Sequence, residues 1–129
     1  MTQEDKSLLL KDLCARLPYG VIVQDELGRV NKLVIGNADL IRLFYNDFST
    51  YGESALSLPL LRPMSSITEE EKRDYNTIAM HTIVTSKGFV HLEASELVDW
   101  LNAHHFDYRG LIEKGLAIAV TEEINPYKD

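Results

Sequence analysis

Cysteine occurs once in this sequence, at Cys14, so no internal disulfide framework can hold the fold together. Its helical spacing from Leu10 and Leu17 predicts a thiol buried as a small apolar group, in a reducing compartment. Long apolar runs are missing as well: none approaches the ~20 residues that span a bilayer. The N-terminal stretch MTQEDKSLLLKDL has acids where a secretory signal would carry only positive charge, which points to a cytoplasmic protein without a membrane segment. Positive charge is scarce and scattered, with 13 Lys and Arg against 20 Asp and Glu and a formal net charge of −7. That balance argues against direct nucleic-acid binding, which is driven by phosphate neutralisation. It suits a surface that keeps the chain soluble or meets a basic patch on another protein. There is no G-x-S-x-G, no P-loop and no G-x-G-x-x-G, so neither an activated serine nor a nucleotide cofactor is signalled, and no cofactor is expected.

What is present reads as one globular domain over residues 1–129, with 45% apolar and 26% charged residues and no repeat or Gly/Ser linker. Thr2 to Leu17 has the pattern of an amphipathic helix with a Leu10, Leu13, Cys14 and Leu17 stripe, ended by Pro18. The period then changes to two. Tyr19–Gln24 and Val30–Ile35 predict a β-hairpin around Asp25–Arg29, and the aromatic Asp39–Tyr45 predicts a third strand in preference to a short helix. Residues 46–67, with Pro59 and Pro63, predict an irregular loop with only edge-like extended backbone. Thr68-Glu69-Glu70-Glu71 is a capping box opening a second helix with Tyr75, Ile78 and Ala79 inward. His81–Leu92 predicts a hairpin around Ser86-Lys87-Gly88, and a third helix follows from Glu93 or Ser95 to about His104. Leu116–Val120 predicts a last strand, and residues 121–129 a frayed tail. The sum is an α+β fold with an antiparallel sheet of short hairpin-connected strands and about three helices.

The stretch most able to carry chemistry is WLNAHHFDYRGLI, Trp100 to Ile112. Adjacent histidines on a helix diverge by about 100° and cannot both hold one metal. A metal site would require the helix to break at Phe106 and His81 or His91 to approach His105, so no metal is expected. His105 with Asp107 has the residue types of an acid–base pair, but no nucleophile accompanies them. The structural alternative is a helix end whose histidines satisfy terminal carbonyls. Asp107 then caps the turn DYRGLI, Gly110 supplies its backbone angles, and Arg109 pairs with Asp107 or stacks on Tyr108 or Trp100. Trp, Tyr, Arg and His together are also the residue types of binding hot spots. Trp100, His104, His105, Asp107, Tyr108 and Arg109 are therefore the expected contact surface, provided that they face outward. Arg62 and Ser65 are a second candidate, an anion cradle at a helix start, which the three glutamates that follow oppose.

Two segments, LRPMSSITEEEKRDY and DWLNAHHFDYRGLIEKGLAIAV, resemble the shared motifs of an uncharacterised family of small proteins from gut anaerobes, their prophages and phages. The N-terminal LLLKDLCARLPYGV is similar to that family too. The resemblance implies an accessory protein of mobile or phage-like DNA, with no activity, cofactor or catalytic residue to transfer. The expectation is thus a small acidic binding protein whose partner is a protein rather than nucleic acid. A hydrolase using His105 and Asp107, metal-assisted or not, is the alternative, and an acidic nucleic-acid mimic the third reading.

Overall fold

The computed structural model describes the backbone of residues 2–45, 56–85 and 90–127, and the side chains of all of these but 81–85 and 90–95. Helix α1 (Gln3–Arg16) starts where Thr2 accepts the Asp5 amide and Asp5 reaches back to the Thr2 amide, a reciprocal cap. Its inward face is Leu9, Asp12, Leu13 and Arg16, positions i, i+3, i+4 and i+7 on one side of the helix. This corrects the expected stripe: Leu10 and Leu17 are only half-buried and Cys14 is exposed. The reason is that a polar pair, Asp12 and Arg16, occupies two of the core-facing positions, which a hydrophobic stripe cannot reveal.

A 3-10 turn over Leu17–Tyr19 leads into β1 (Ile22–Gln24), which pairs antiparallel with β2 (Val30–Lys32). Asp25 organises the hairpin by accepting the Leu27 and Arg29 amides. Asp39–Tyr45, expected as a strand, lies in helix α2 (Ala38–Tyr45). Asn37 caps it by accepting the Leu40 amide, and Leu40 and Leu43 turn inward one turn apart. Local capping and that spacing outweigh the aromatic content.

Strand β3 (Leu58–Leu61) lies inside the sheet although it carries Pro59. It can, because it pairs with β1 only at Leu58 and Pro59 and with β4 (Ile118–Ala119) at Leu60 and Leu61, so its missing amide removes at most one ladder bond. The order is β2-β1-β3-β4, and β3 and β4 run parallel. The fold is α+β as expected, but the sheet is mixed, because the long connection from β3 to β4 carries two helices instead of a hairpin.

Those helices replace the hairpin expected over 81–92. Helix α3 (Glu69–Thr85) runs through the β-branched residues at its end, and α4 (Val90–Ala103) begins three residues before Glu93; the expected Ser86-Lys87-Gly88 turn lies outside the described residues, as does the 46–55 part of the predicted loop. α3 and α4 pack on each other, a tertiary contact that overrides strand propensity. α1, α2, the sheet and the 111–117 segment enclose one core that includes Leu9, Leu13, Val23, Leu43, Leu61 and Leu111. Among the described residues no helix is long and apolar enough to cross a membrane.

Candidate functional site

The two stretches singled out in the sequence meet in space. The Arg62 amide donates to the His105 carbonyl at 2.8 Å, and the Asp107 amide donates to the Arg62 carbonyl at 2.9 Å. The end of β3 is thereby joined to the chain leaving α4, and the side chains of both stretches come together.

The α4 terminus is built by a left-handed residue. The His105 amide donates to Asn102 and the Phe106 amide to Leu101, the paired bonds of a Schellman ending, with His105 at φ 62° where glycine usually stands. Histidine tolerates this region better than most side chains, at a cost in backbone energy. One residue earlier, His104 stacks on Trp100, a turn before it, with ring centres 4.1 Å apart, and its Nδ1 lies 2.9 Å from the Trp100 carbonyl. A carbonyl only accepts, so that nitrogen carries the proton. His104 thus satisfies a terminal carbonyl, as the helix-end reading expects, while His105 contributes its left-handed backbone and no side-chain bond to a carbonyl. Trp100, half-buried, continues the stack onto Phe106 and meets the Tyr75 ring edge-on, and the Arg62 guanidinium covers Phe106 at 4.2 Å.

Asp107, Tyr108 and Arg109 were expected on the contact surface; the structure buries Asp107, leaves Tyr108 and Arg109 half-buried, and commits the polar groups of all three within the chain. Asp107 is buried and its two oxygens accept the Leu111 and Ile112 amides, capping a turn in which Gly110 adopts φ 74°. The Tyr108 hydroxyl donates to Asn102. Arg109 pairs not with Asp107 but with Asp12, at 2.7 Å, while lying over the Tyr108 ring. Asp12 also holds Arg16 at 2.8 Å; both of these are fully buried, and Arg16 donates further to the Phe106 carbonyl at 2.6 Å. An Arg–Asp–Arg triad therefore ties α1 to the 106–109 turn. The physical reason for the correction is that the buried Asp12 carboxylate needs cationic partners, and the turn supplies one.

At the second candidate, Arg62 is committed to Glu71 through two bonds of 2.7 Å, and Glu71 also accepts the Thr68 amide in the capping box, with Thr68 accepting the Glu71 amide in return. The Arg62 guanidinium holds the Glu71 carboxyl down to about 2, against the opposing effect of burial. Ser65 is exposed on the 3-10 turn Met64–Ser66, beside Ser66.

Between these elements lies an open cleft of about 760 Å³. Arg62, Ser66 and Thr68 form one side, Ala103, His104 and His105 the second, and residues from Val120 to Tyr127 the third. The expected frayed tail is thus folded against the body as far as Tyr127, whose ring lies 3.7 Å from His105 with an 11° tilt. His105 Nδ1 is buried and makes no hydrogen bond within the chain. Burial, with the charges of Arg16, His104 and Arg62, pushes the imidazole down to about 4, so it is neutral near pH 7. Burial pushes the Tyr127 phenol up to about 12.

Tyr127 and Asn125 carry no local sequence signal, whereas the polar Asp12 and Arg16, four apart among leucines, are a readable one. Among the described residues no three His, Cys, Asp or Glu side chains are placed to hold a metal ion, and the side chains of His81 and His91 lie outside that set. No family model matches the chain, and neither curated proteins nor solved structures give a match.

Proposed function

We propose that this chain acts by binding a partner protein, and that the cleft between Arg62, His105 and Tyr127 is its contact surface. One observation carries this reading: residues 62–68 and 103–105, distant in sequence, converge on the same concave surface. Its chemistry is that of hydrogen bonding beside one exposed carboxylate. Arg62 is matched by Glu71, both imidazoles have a fixed setting, and the remaining polar groups are hydroxyls, the Asn125 amide and the Glu122 carboxylate. Such a surface suits the main chain and polar side chains of a protein segment. A net charge of −7 and the absence of an unmatched arginine here weigh against phosphate as the ligand. The His105–Asp107 hydrolase reading draws no support from the geometry, because both Asp107 oxygens already accept backbone amides. The exposed thiol of Cys14 suits the reducing cytoplasm. An accessory role in mobile DNA rests on the motif resemblance.

The cleft can be blocked at its exposed rim. Ala103→Trp and Thr121→Trp fill it from two sides without touching a buried group. The wild type and both variants, immobilised and exposed to lysate of the source cell, are compared by quantitative mass spectrometry, with thermal melts confirming that each is folded. A protein recovered by the wild type and reduced about tenfold or more by both variants is the expected result. Equal recovery by all three sinks the proposal.

A further inference from the structure

We infer that Thr121–Tyr127 is a strap that closes the cleft by a single buckle, the Tyr127 side chain, and that it opens locally to admit the phenol of a partner's tyrosine in place of its own; this rests on the cleft being the contact surface. The pairing of β1 and β3 sets Val23 opposite Pro59 and Gln24 opposite Leu58, and the same register sets Ile22 opposite Leu60. At that next rung the Tyr127 hydroxyl stands between the strands. The Ile22 amide donates to it at 2.8 Å, and it donates to the Leu60 carbonyl at 2.7 Å. One phenol thus stands in for a rung of the sheet.

The remaining hydrogen bonds of the strap stay within it. The Thr121 amide donates to the Ile124 carbonyl, the Ile124 amide to the Thr121 hydroxyl, and the Tyr127 amide to the Asn125 side chain. At the root, the Val120 amide donates to Leu61. Thr121 to Ile124 are exposed. A segment with exposed backbone and one anchoring side chain belongs to the low-stability end of a fold and opens without global unfolding. Opening uncovers a donor at Ile22, an acceptor at Leu60 and the flat face of His105, the three groups that Tyr127 now covers. Together these are the complement of a phenol. Their present occupant comes from the same chain, so an external tyrosine competes with Tyr127 on equal chemical terms.

Amide hydrogen exchange on the full chain, read by NMR, tests the strap without any partner. The Ile22 amide is expected to exchange about tenfold or more faster than those of Leu33 and Val120, which donate to main-chain carbonyls of the same sheet. Tyr127→Phe keeps the ring on His105 and removes both hydroxyl bonds; it is expected to speed Ile22 by about tenfold more while Leu33 stays unchanged. Ile22 exchanging in step with Leu33, or Tyr127→Phe unfolding the whole chain, overturns the strap. The capture assay then separates the two ideas. Tyr127→Phe should raise recovery of the partner, and N-acetyltyrosinamide at millimolar concentration should shift the Ile22 and His105 resonances of this variant. Unchanged recovery and no shift defeat the strap as a gate while the cleft stands; unchanged recovery with Ala103→Trp and Thr121→Trp defeats the cleft itself.

Discussion

At the scale of single residues, the decisive group is Asp12. It is fully buried and placed between the Arg16 and Arg109 guanidinium groups. Removing it leaves two cations facing each other in low dielectric, so Asp12→Ala is expected to cost about 3–5 kcal/mol in urea unfolding. A loss below about 1 kcal/mol would show that solvent reaches the triad and that its charges are not buried in effect. Double substitution of Asp12 and Arg16 by apolar residues of similar volume should recover part of the loss. The triad also explains why the site was only half legible. Asp107 as a turn cap and the histidines as helix-end groups follow from short-range chemistry that any reader of the local sequence can apply. Arg109 pairs with a residue 97 positions away, and no local pattern reports that. Asp12 and Arg16 did leave a trace, a polar pair one turn apart on a leucine-rich helix.

At the scale of elements, caps were the reliable signal and propensity the unreliable one. The Thr68 box forms with the bonds its spacing implies, and Thr68→Ala should cost about 1 kcal/mol by thermal melt. Glu71→Gln should cost more than Thr68→Ala, because Glu71 also holds Arg62 over the Phe106 ring. If the two variants melt together, the Arg62 pair contributes nothing beyond the cap. By contrast, Asp39–Tyr45 and His81–Leu92 have the β-branched and aromatic content of strands, yet the first is helical, as are residues 81–85 and 90–92 of the second. Asn37 decides the first, through its bond to the Leu40 amide. For the second, α3 is already running from Thr68 and packs on α4, so the strand-forming residues are carried along. The β1–β2 hairpin was legible because its turn chemistry and its alternation agree.

At the scale of the molecule, α+β could be read from the order of elements, while the parallel β3–β4 pair could not, since it depends on what the intervening chain does. Stability should follow a dome with pH. His105 is lowered from 6.5 to about 4 on folding, so its contribution is intact above 6.5 and is lost as pH falls through about 4. Glu71, lowered from 4.5 to about 2, adds a further loss below 4.5. Tyr127, raised from 10.0 to about 12, removes stability as pH climbs through that range. Urea midpoints should therefore fall from pH 7 to pH 4, the His105 share being smaller than its full shift implies because solvent screens a half-buried ring. His105→Asn, which also tolerates the left-handed backbone, should flatten that limb; an undiminished slope in the variant would assign it elsewhere. The reach of the main ties has a consequence for biosynthesis. Arg16 bonds to residue 106, Asp12 to residue 109 and Ile22 to residue 127, separations of 90, 97 and 105 positions. A ribosome translating this message must therefore release the chain through residue 109 from its tunnel before α1 finds its electrostatic counterparts. Nascent chains stalled near codon 100 should remain sensitive to protease throughout, whereas chains extended beyond residue 127 by a tethering linker should become resistant in one step.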